Sequence, residues 1–247
     1  MDILRHQQEI IRNQGLLAKK PILQKIYRDF YVEIAKHVSN LPDKKIVELG
    51  SGIGNIKEII PNCLRTDLFP NPWLDQTENA YRLSFDDETV SDLILFDVFH
   101  HLRYPGTALK EFERVLRPNG RVIIFDPYIS LLGRIVYGFF HSEPIAWRNK
   151  IVWNASENWN AEQIDYYAAQ GNVTRIFFGN KFQTLLQNWS VISRSRLSAF
   201  SYVASGGYSG PQIYPNCLYP LAHSFDKVFD FLPAVFATRA LVVLKKK

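Results

Sequence analysis

Cysteine is nearly absent: the 247-residue chain has two, Cys63 and Cys217. They form no metal-ligating spacing, so reduced thiols in a cytoplasmic protein are expected. Long basic runs are missing too. Net charge is +5, yet no run of Lys or Arg exceeds three residues, and the longest is Lys245-Lys246-Lys247. A nucleic-acid-binding stripe concentrates its cations on one element, so no nucleic-acid partner is expected. The apolar stretches are broken by Arg, Asp or Gly well before the roughly 18 residues that span a bilayer. The start, Met1-Asp2-Ile3-Leu4-Arg5-His6-Gln7, lacks the charged-then-apolar order of a secretory leader. Neither a transmembrane helix nor a leader is expected.

What remains is ordinary globular usage, 21% charged and 47% hydrophobic residues, with aromatics unusually frequent at 14%. The length suits one large α/β domain with insertions rather than two full domains. Pro21 followed by Leu23, Ile26, Phe30, Ile34 and Val38 predicts an amphipathic helix up to Asn40. The weaker segment Leu4 to Leu17 reads as a short helix or an arm, so residues 1–40 form an N-terminal helical segment. Lys45 to Leu49 is a short β-branched run stopped by glycine, as in a buried parallel strand. A helix with Ile56, Ile59 and Ile60 is expected next, then a strand near Cys63 to Thr66 ending at Asp67. Asp92 to Asp97 is a strand, Ala108, Leu109, Phe112, Val115 and Leu116 mark a helix face, and Arg121 to Phe125 is a strand. This alternation predicts a doubly wound parallel sheet that binds ligands at the carboxyl ends of its strands. Later strands are expected at Val173 to Phe178, Ser190 to Ser195 and Arg239 to Leu244. The aromatic-rich intervals 131–172 and 200–236 read as insertions over the ligand edge.

The turn Glu48-Leu49-Gly50-Ser51-Gly52-Ile53-Gly54 joins a strand to a helix, where backbone N–H groups face a ligand. A dinucleotide fingerprint wants its third glycine at position 55, which is Asn. A Walker loop would end Gly-Lys-Ser/Thr, and Asn55-Ile56-Lys57 does not. Glu48 would repel a pyrophosphate but suits an ammonium group. S-adenosylmethionine carries one, together with a carboxylate for the helix N-terminus. Asp67, closing the second strand, is positioned to accept from two ribose hydroxyls.

Residues 44–126 resemble the class I S-adenosylmethionine-dependent methyltransferases, particularly the methyltransferase type 11 family. Four pieces carry the resemblance in order: the Glu48–Gly54 loop with Asp67; Asn79-Ala80-Tyr81-Arg82-Leu83-Ser84-Phe85; Asp97-Val98-Phe99-His100-His101-Leu102; and Leu116-Arg117-Pro118-Asn119-Gly120. The resemblance implies a Rossmann-like, doubly wound, mostly parallel seven-stranded sheet with helices on both faces. It implies S-adenosylmethionine as cofactor, held by Glu48, Gly50, Ser51, Gly52, Gly54, Asp67, Leu68, Asn79, Ala80, Asp97 and Val98. Asn79, Ser84 and Asn119 depart from the family's Asp, Pro and Gly; an amide at 79 can still meet the adenine amino group through its oxygen.

Methyl transfer from a sulfonium is an in-line displacement in which alignment supplies much of the catalysis. Where the acceptor is a hydroxyl, His100 or His101 could take its proton. Asp126 and Tyr128, just past the fifth strand, are substrate-side candidates. His141 with Glu143 nearby, and His223, are isolated, so no metal site is expected. The acceptor is expected to be a small molecule or lipid/glycan-linked. Two alternatives stay open: a non-catalytic S-adenosylmethionine-binding protein, and a peripheral membrane protein using an apolar face of Leu131, Leu132, Ile135, Val136, Phe139 and Phe140.

Overall fold

The computed structural model describes residues 3–141, 143–162 and 166–247. Two helices, α1 (Ile3–Lys19) and α2 (Pro21–Ala35), precede β1 (Ile46–Leu49), β2 (Leu64–Asp67), β3 (Gln76–Thr77) and β4 (Val90–Phe96). Then come α3 (Pro105–Val115), β5 (Leu116–Pro127), α4 (Leu131–Phe139), α5 (Asn172–Phe177) and β6 (Trp189–Ser198). The chain continues through α6 (Phe200–Ser205), α7 (Tyr219–Phe229) and α8 (Pro233–Phe236) to β7 (Ala237–Lys246).

The seven strands form one sheet in the order β3-β2-β1-β4-β5-β7-β6. The first five run parallel, and β7 is antiparallel to both β5 and β6. β1 and β4 are buried along their whole length, as central strands covered on both faces must be. Successive side chains alternate between two core layers. Leu93, Leu95, Val122, Ile124, Val242 and Leu244 face one layer, under α3 and α5, whereas Ile94, Phe96, Ile123, Phe125, Leu241 and Val243 face the other, with Tyr31 and Ile34 of α2. Strand order reverses between β1 and β4, and this switch point is where an open α/β sheet binds its ligand.

Two expectations are corrected. Val173 to Phe178 is not a strand but helix α5. Its β-branched and aromatic content favours a strand locally, but Val173, Ile176 and Phe177 are spaced for one helix face and all three are fully buried, so tertiary packing prevails. The turn after the glycine loop is a single 3-10 turn, Asn55–Glu58, ended before Pro61. Four residues make no appreciable dipole, so an anion there would rely on the loop's N–H groups alone. The segment Leu4 to Leu17, expected as a short helix or an arm, lies within the 17-residue helix Ile3–Lys19.

Candidate active site

The glycine loop is held by its own backbone. Gly50, Gly52 and Gly54 have φ of 71°, 53° and 73°, the left-handed region that glycine adopts without penalty. Gly50 is needed for space as well, because a Cβ there would lie 2.3 Å from Val98 Cγ2. Ser51 N–H donates to the Thr66 carbonyl at 2.8 Å, Ser51 Oγ accepts from Thr66 N–H at 3.2 Å, and Thr66 Oγ1 donates to the Glu48 carbonyl at 2.8 Å. Gly52 N–H donates to Asp67 Oδ2 at 3.0 Å and Leu68 N–H to Asp67 Oδ1 at 2.7 Å. The Asp67 carboxylate therefore ties the end of β2 to the loop.

Glu48 is buried beneath the loop. Tyr31 Oη donates to its Oε1 at 2.9 Å, while Oε2 has no partner among the described residues. Burial raises its pKa from 4.5 to about 7, against the Ser51 and Tyr31 side chains, whose hydrogen bonding favours the carboxylate. A buried carboxylate oxygen lacking a donor is the feature an ammonium group would satisfy. On the adenine side of the resemblance, Asn79 Oδ1 accepts from Tyr81 N–H at 3.0 Å and its amide donates to the Ala161 carbonyl at 2.7 Å. Ala80 and Val98 pack on the core beside it.

In front of the loop lies a cavity of about 780 Å³, a volume typical of small-molecule sites. Gly50, Ser51, Gly52 and Asp97 line one side, with His100, His101, Glu143 and Gln170 on another. Tyr27, Tyr31, Tyr137, Tyr202 and Tyr208 supply aromatic walls, and Ile10 and Asn13 bring α1 to the rim. Lys20 Nζ, between α1 and α2, donates to the carbonyls of Gly207 and Gly210 at 2.8 Å each. This fixes the glycine-rich 206–210 segment under the N-terminal helices. Glu48, Gly54, Asp67, Leu68, Asn79, Ala80 and Val98 lie outside this cavity's lining, Glu48 buried beneath the loop, and so does Tyr128, which is buried edge-on against Phe178.

Asp126 is fully buried and meets the site through His100, accepting from its N–H at 3.0 Å and contacting its Nδ1 at 3.1 Å. His100 Nε2 and His101 Nε2 both face Glu143, at 3.3 and 3.6 Å, and His101 Nδ1 meets the Tyr167 carbonyl at 2.8 Å. Burial alone would lower the His100 pKa, but Asp126 and Glu143 raise it to about 10; burial and the charge on His100 push His101 down to about 4. Glu143, Gln170 and Arg239 were not singled out by sequence as members of this site. Arg239 is buried, pairs with Asp97, and has its guanidinium 4.7 Å from the Tyr202 ring and 5.7 Å from that of Phe30. A lone arginine within the apolar β7 run was the available signal.

Residues 47–124 match the family model described as "Methyltransferase domain". A stretch covering 38% of this chain and 47% of the relative is 30% identical to "Demethylmenaquinone methyltransferase" of Streptomyces avermitilis. A second stretch, 19% of this chain and 2% of the relative, is 31% identical to "Probable polyketide synthase 10" of Dictyostelium discoideum. The chain thus spans less than half the length of either curated relative. Among solved structures, geranyl diphosphate C-methyltransferase from Streptomyces coelicolor A3(2), in complex with Mg2+, geranyl diphosphate and S-adenosyl-L-homocysteine, superposes with TM-score 0.54 and 10% identity over 89% of this chain and 78% of that one. A geranyl diphosphate methyltransferase in complex with SAM gives 0.51 and 10% over 89% and 85%. At this identity the likeness shows the fold alone, and the methyltransferase resemblance rests on the family match over residues 47–124.

Proposed function

We propose that this chain, whose residues 47–124 match the methyltransferase-domain family model, binds S-adenosylmethionine on the glycine loop and transfers its methyl group to a small-molecule acceptor held in the aromatic cavity. The observation that carries the reading is the buried, undonated Oε2 of Glu48 beneath a left-handed glycine loop. Glu48 would receive the ammonium group, Gly50 and Gly52 would let the cofactor approach the backbone, and Asp67 would accept from the ribose hydroxyls, with Leu68, Asn79 and Ala80 around the adenine. In transfer, the acceptor atom attacks the methyl carbon in line with the C–S bond, whose electron pair passes to sulfur. The protein's part is alignment and exclusion of water. The free thiols of Cys63 and Cys217 suit a cytoplasmic setting.

Glu48 gives this reading a pH signature. An ammonium ligand needs the carboxylate, whereas burial holds the proton on it up to about 7. Cofactor affinity should therefore fall as the pH is lowered from 8 to 6, by up to about tenfold per unit below that pKa, with a proton released on binding. Without ligand the linkage runs the other way: Glu48 favours the folded state most fully below its ordinary 4.5, and that contribution is lost as the pH rises through about 7. Titration calorimetry in buffers of different ionisation enthalpy measures both affinity and proton release. Glu48→Gln should bind more weakly and flatten the profile; a wild-type affinity constant across pH 6 to 8 would refute the role.

A lipid-linked acceptor is favoured by one further observation. Phe139 and Phe140 are 83% and 76% exposed, Phe231 is 87% exposed, and α8, which follows it, packs on α4. Phe140 also lines the cavity, so an apolar surface continues into the site. No helix among the described residues is long and apolar enough to cross a membrane, so contact would be peripheral. Co-sedimentation with phosphatidylglycerol vesicles should retain the protein and release Phe139→Ser/Phe231→Ser. Equal partitioning of both proteins would leave a soluble acceptor as the reading.

A further inference from the structure

We propose that His100 Nε2, His101 Nε2 and a carboxylate oxygen of Glu143 form a binding site for a first-row divalent cation, zinc by ligand set, in the wall of the cavity that faces the glycine loop.

The first argument is the hydrogen-bond chemistry of the two rings. A carbonyl oxygen only accepts, so His101 Nδ1, 2.8 Å from the Tyr167 carbonyl, carries the proton. The Asp126 carboxylate, 3.1 Å from His100 Nδ1, fixes the same tautomer there. The His101 ring then aims its Nε2 lone pair at Glu143 Oε1, while His100 Nε2 meets Glu143 Oε2 through a proton that a bound ion would replace. A lone pair facing a carboxylate oxygen at 3.6 Å is repulsive unless a positive centre lies between them. One extra proton on His100 answers one of these contacts, whereas a single divalent ion answers both.

The second argument is spacing. Two ligands each about 2.05 Å from a tetrahedral ion lie about 3.3 Å apart. His100 Nε2 lies 3.3 Å from Glu143 Oε2 and His101 Nε2 lies 3.6 Å from Glu143 Oε1, near this edge on the two oxygens of one carboxylate, and one ligand atom from each of the three residues lies within 4.8 Å of the others. Outer partners complete the pattern, since metal-binding histidines characteristically donate the other ring N–H to a carboxylate or a carbonyl. Gln170, buried beside the cluster, has its amide nitrogen on Glu143 Oε2 and its amide oxygen without a partner among the described residues.

Three protein ligands leave a position open to the cavity, as in catalytic zinc sites. The use made of it rests on the methyl-transfer reading, though binding of the ion does not. An acceptor hydroxyl whose oxygen meets the ion loses its proton to solvent more readily. The oxygen then attacks the methyl carbon of S-adenosylmethionine, the C–S electron pair passes to sulfur, and S-adenosylhomocysteine and a methyl ether result. The ion would thereby do the work otherwise sought from a histidine base.

The test uses untagged full-length protein stripped with a chelator and titrated with Zn2+ alone. One equivalent should bind, with binding weakened at least a hundredfold in His101→Ala and in Glu143→Gln and unchanged in His223→Ala and Cys217→Ser, which remove an accessible histidine and thiol elsewhere. Co2+ should give visible d–d bands that the same two site variants lose. Zn2+ should raise the Tm of the wild type but not that of His101→Ala, whose side chain is a third exposed and whose folding is checked by the same melt. Wild-type zinc binding no tighter than that of His101→Ala would overturn the site. Titration with S-adenosylmethionine separates the two claims: zinc binding without cofactor binding removes only the role in transfer, and cofactor binding without zinc removes only the ion.

Discussion

Asp97→Ala should lower stability by about 3 kcal/mol, the lower end of the range for breaking a buried ion pair, because Asp97 is itself a third exposed. For a chain of this size that is a fall in Tm of roughly 10 °C. The cost falls on Arg239, which is left charged and 2% exposed among Phe30, Phe96, Phe125 and Tyr202. Its Nε already has no hydrogen-bond partner among the described residues, so the pair with Asp97 is its chief compensation, supplemented by the ring faces. The double variant Asp97→Ala/Arg239→Met should regain most of the loss, since an apolar side chain of similar length has nothing to desolvate. Thermal melts of the three proteins decide the matter. A single variant within about 0.5 kcal/mol of wild type, the range of ordinary surface substitutions, would contradict the account of this pair.

Gly50→Ala should damage both folding and cofactor binding. The new methyl group would sit 2.3 Å from Val98 Cγ2, and the backbone there has φ of 71°. The left-handed conformation costs an alanine roughly 1–2 kcal/mol, and forcing a methyl group into a packed site typically adds about 1–3 kcal/mol. Relief of the second cost is separable from the first. Val98→Ala in the same chain removes the struck atom, so the double variant should recover part of the stability and keep only the backbone penalty. Gly52, whose Cβ would meet nothing within 4 Å, offers the contrast: Gly52→Ala should cost little more than its positive φ. Equal losses at the two positions would show that contact with Val98 does not decide the loop's geometry.

The sheet was legible in the sequence because its central strands are short apolar runs ended by glycine or aspartate, and the expected sites of β1, β4, β5 and β7 coincide with the observed ones. Two elements were misread for different physical reasons. Val173 to Phe178 has strand-like residues but helical spacing of its buried positions, and the glycine loop is followed by too short a run before Pro61 to build an α-helix. β3, a two-residue edge strand, has too little pattern to be seen. At the site, the glycine loop and Asp67 were legible because their residues are consecutive or end a strand. Glu143 was not, because it meets His100 and His101 only through the path of the chain after α4, and no local spacing encodes that path. Asp126 looked like an acceptor-side residue from its position at the end of the fifth strand, yet it is a buried partner of His100. Arg239 follows from register: β7 runs antiparallel to β5 with Arg239 opposite Pro127, which brings it to the ligand edge beside Asp97.

The central claim is that this loop holds S-adenosylmethionine, and titration calorimetry with S-adenosylmethionine and S-adenosylhomocysteine tests it most directly. The wild type should bind one equivalent of each, and Asp67→Ala, which removes both the proposed ribose acceptor and the tie to Gly52, should bind at least about tenfold more weakly, or about 1.4 kcal/mol. Absence of binding to the folded wild-type protein would contradict the claim.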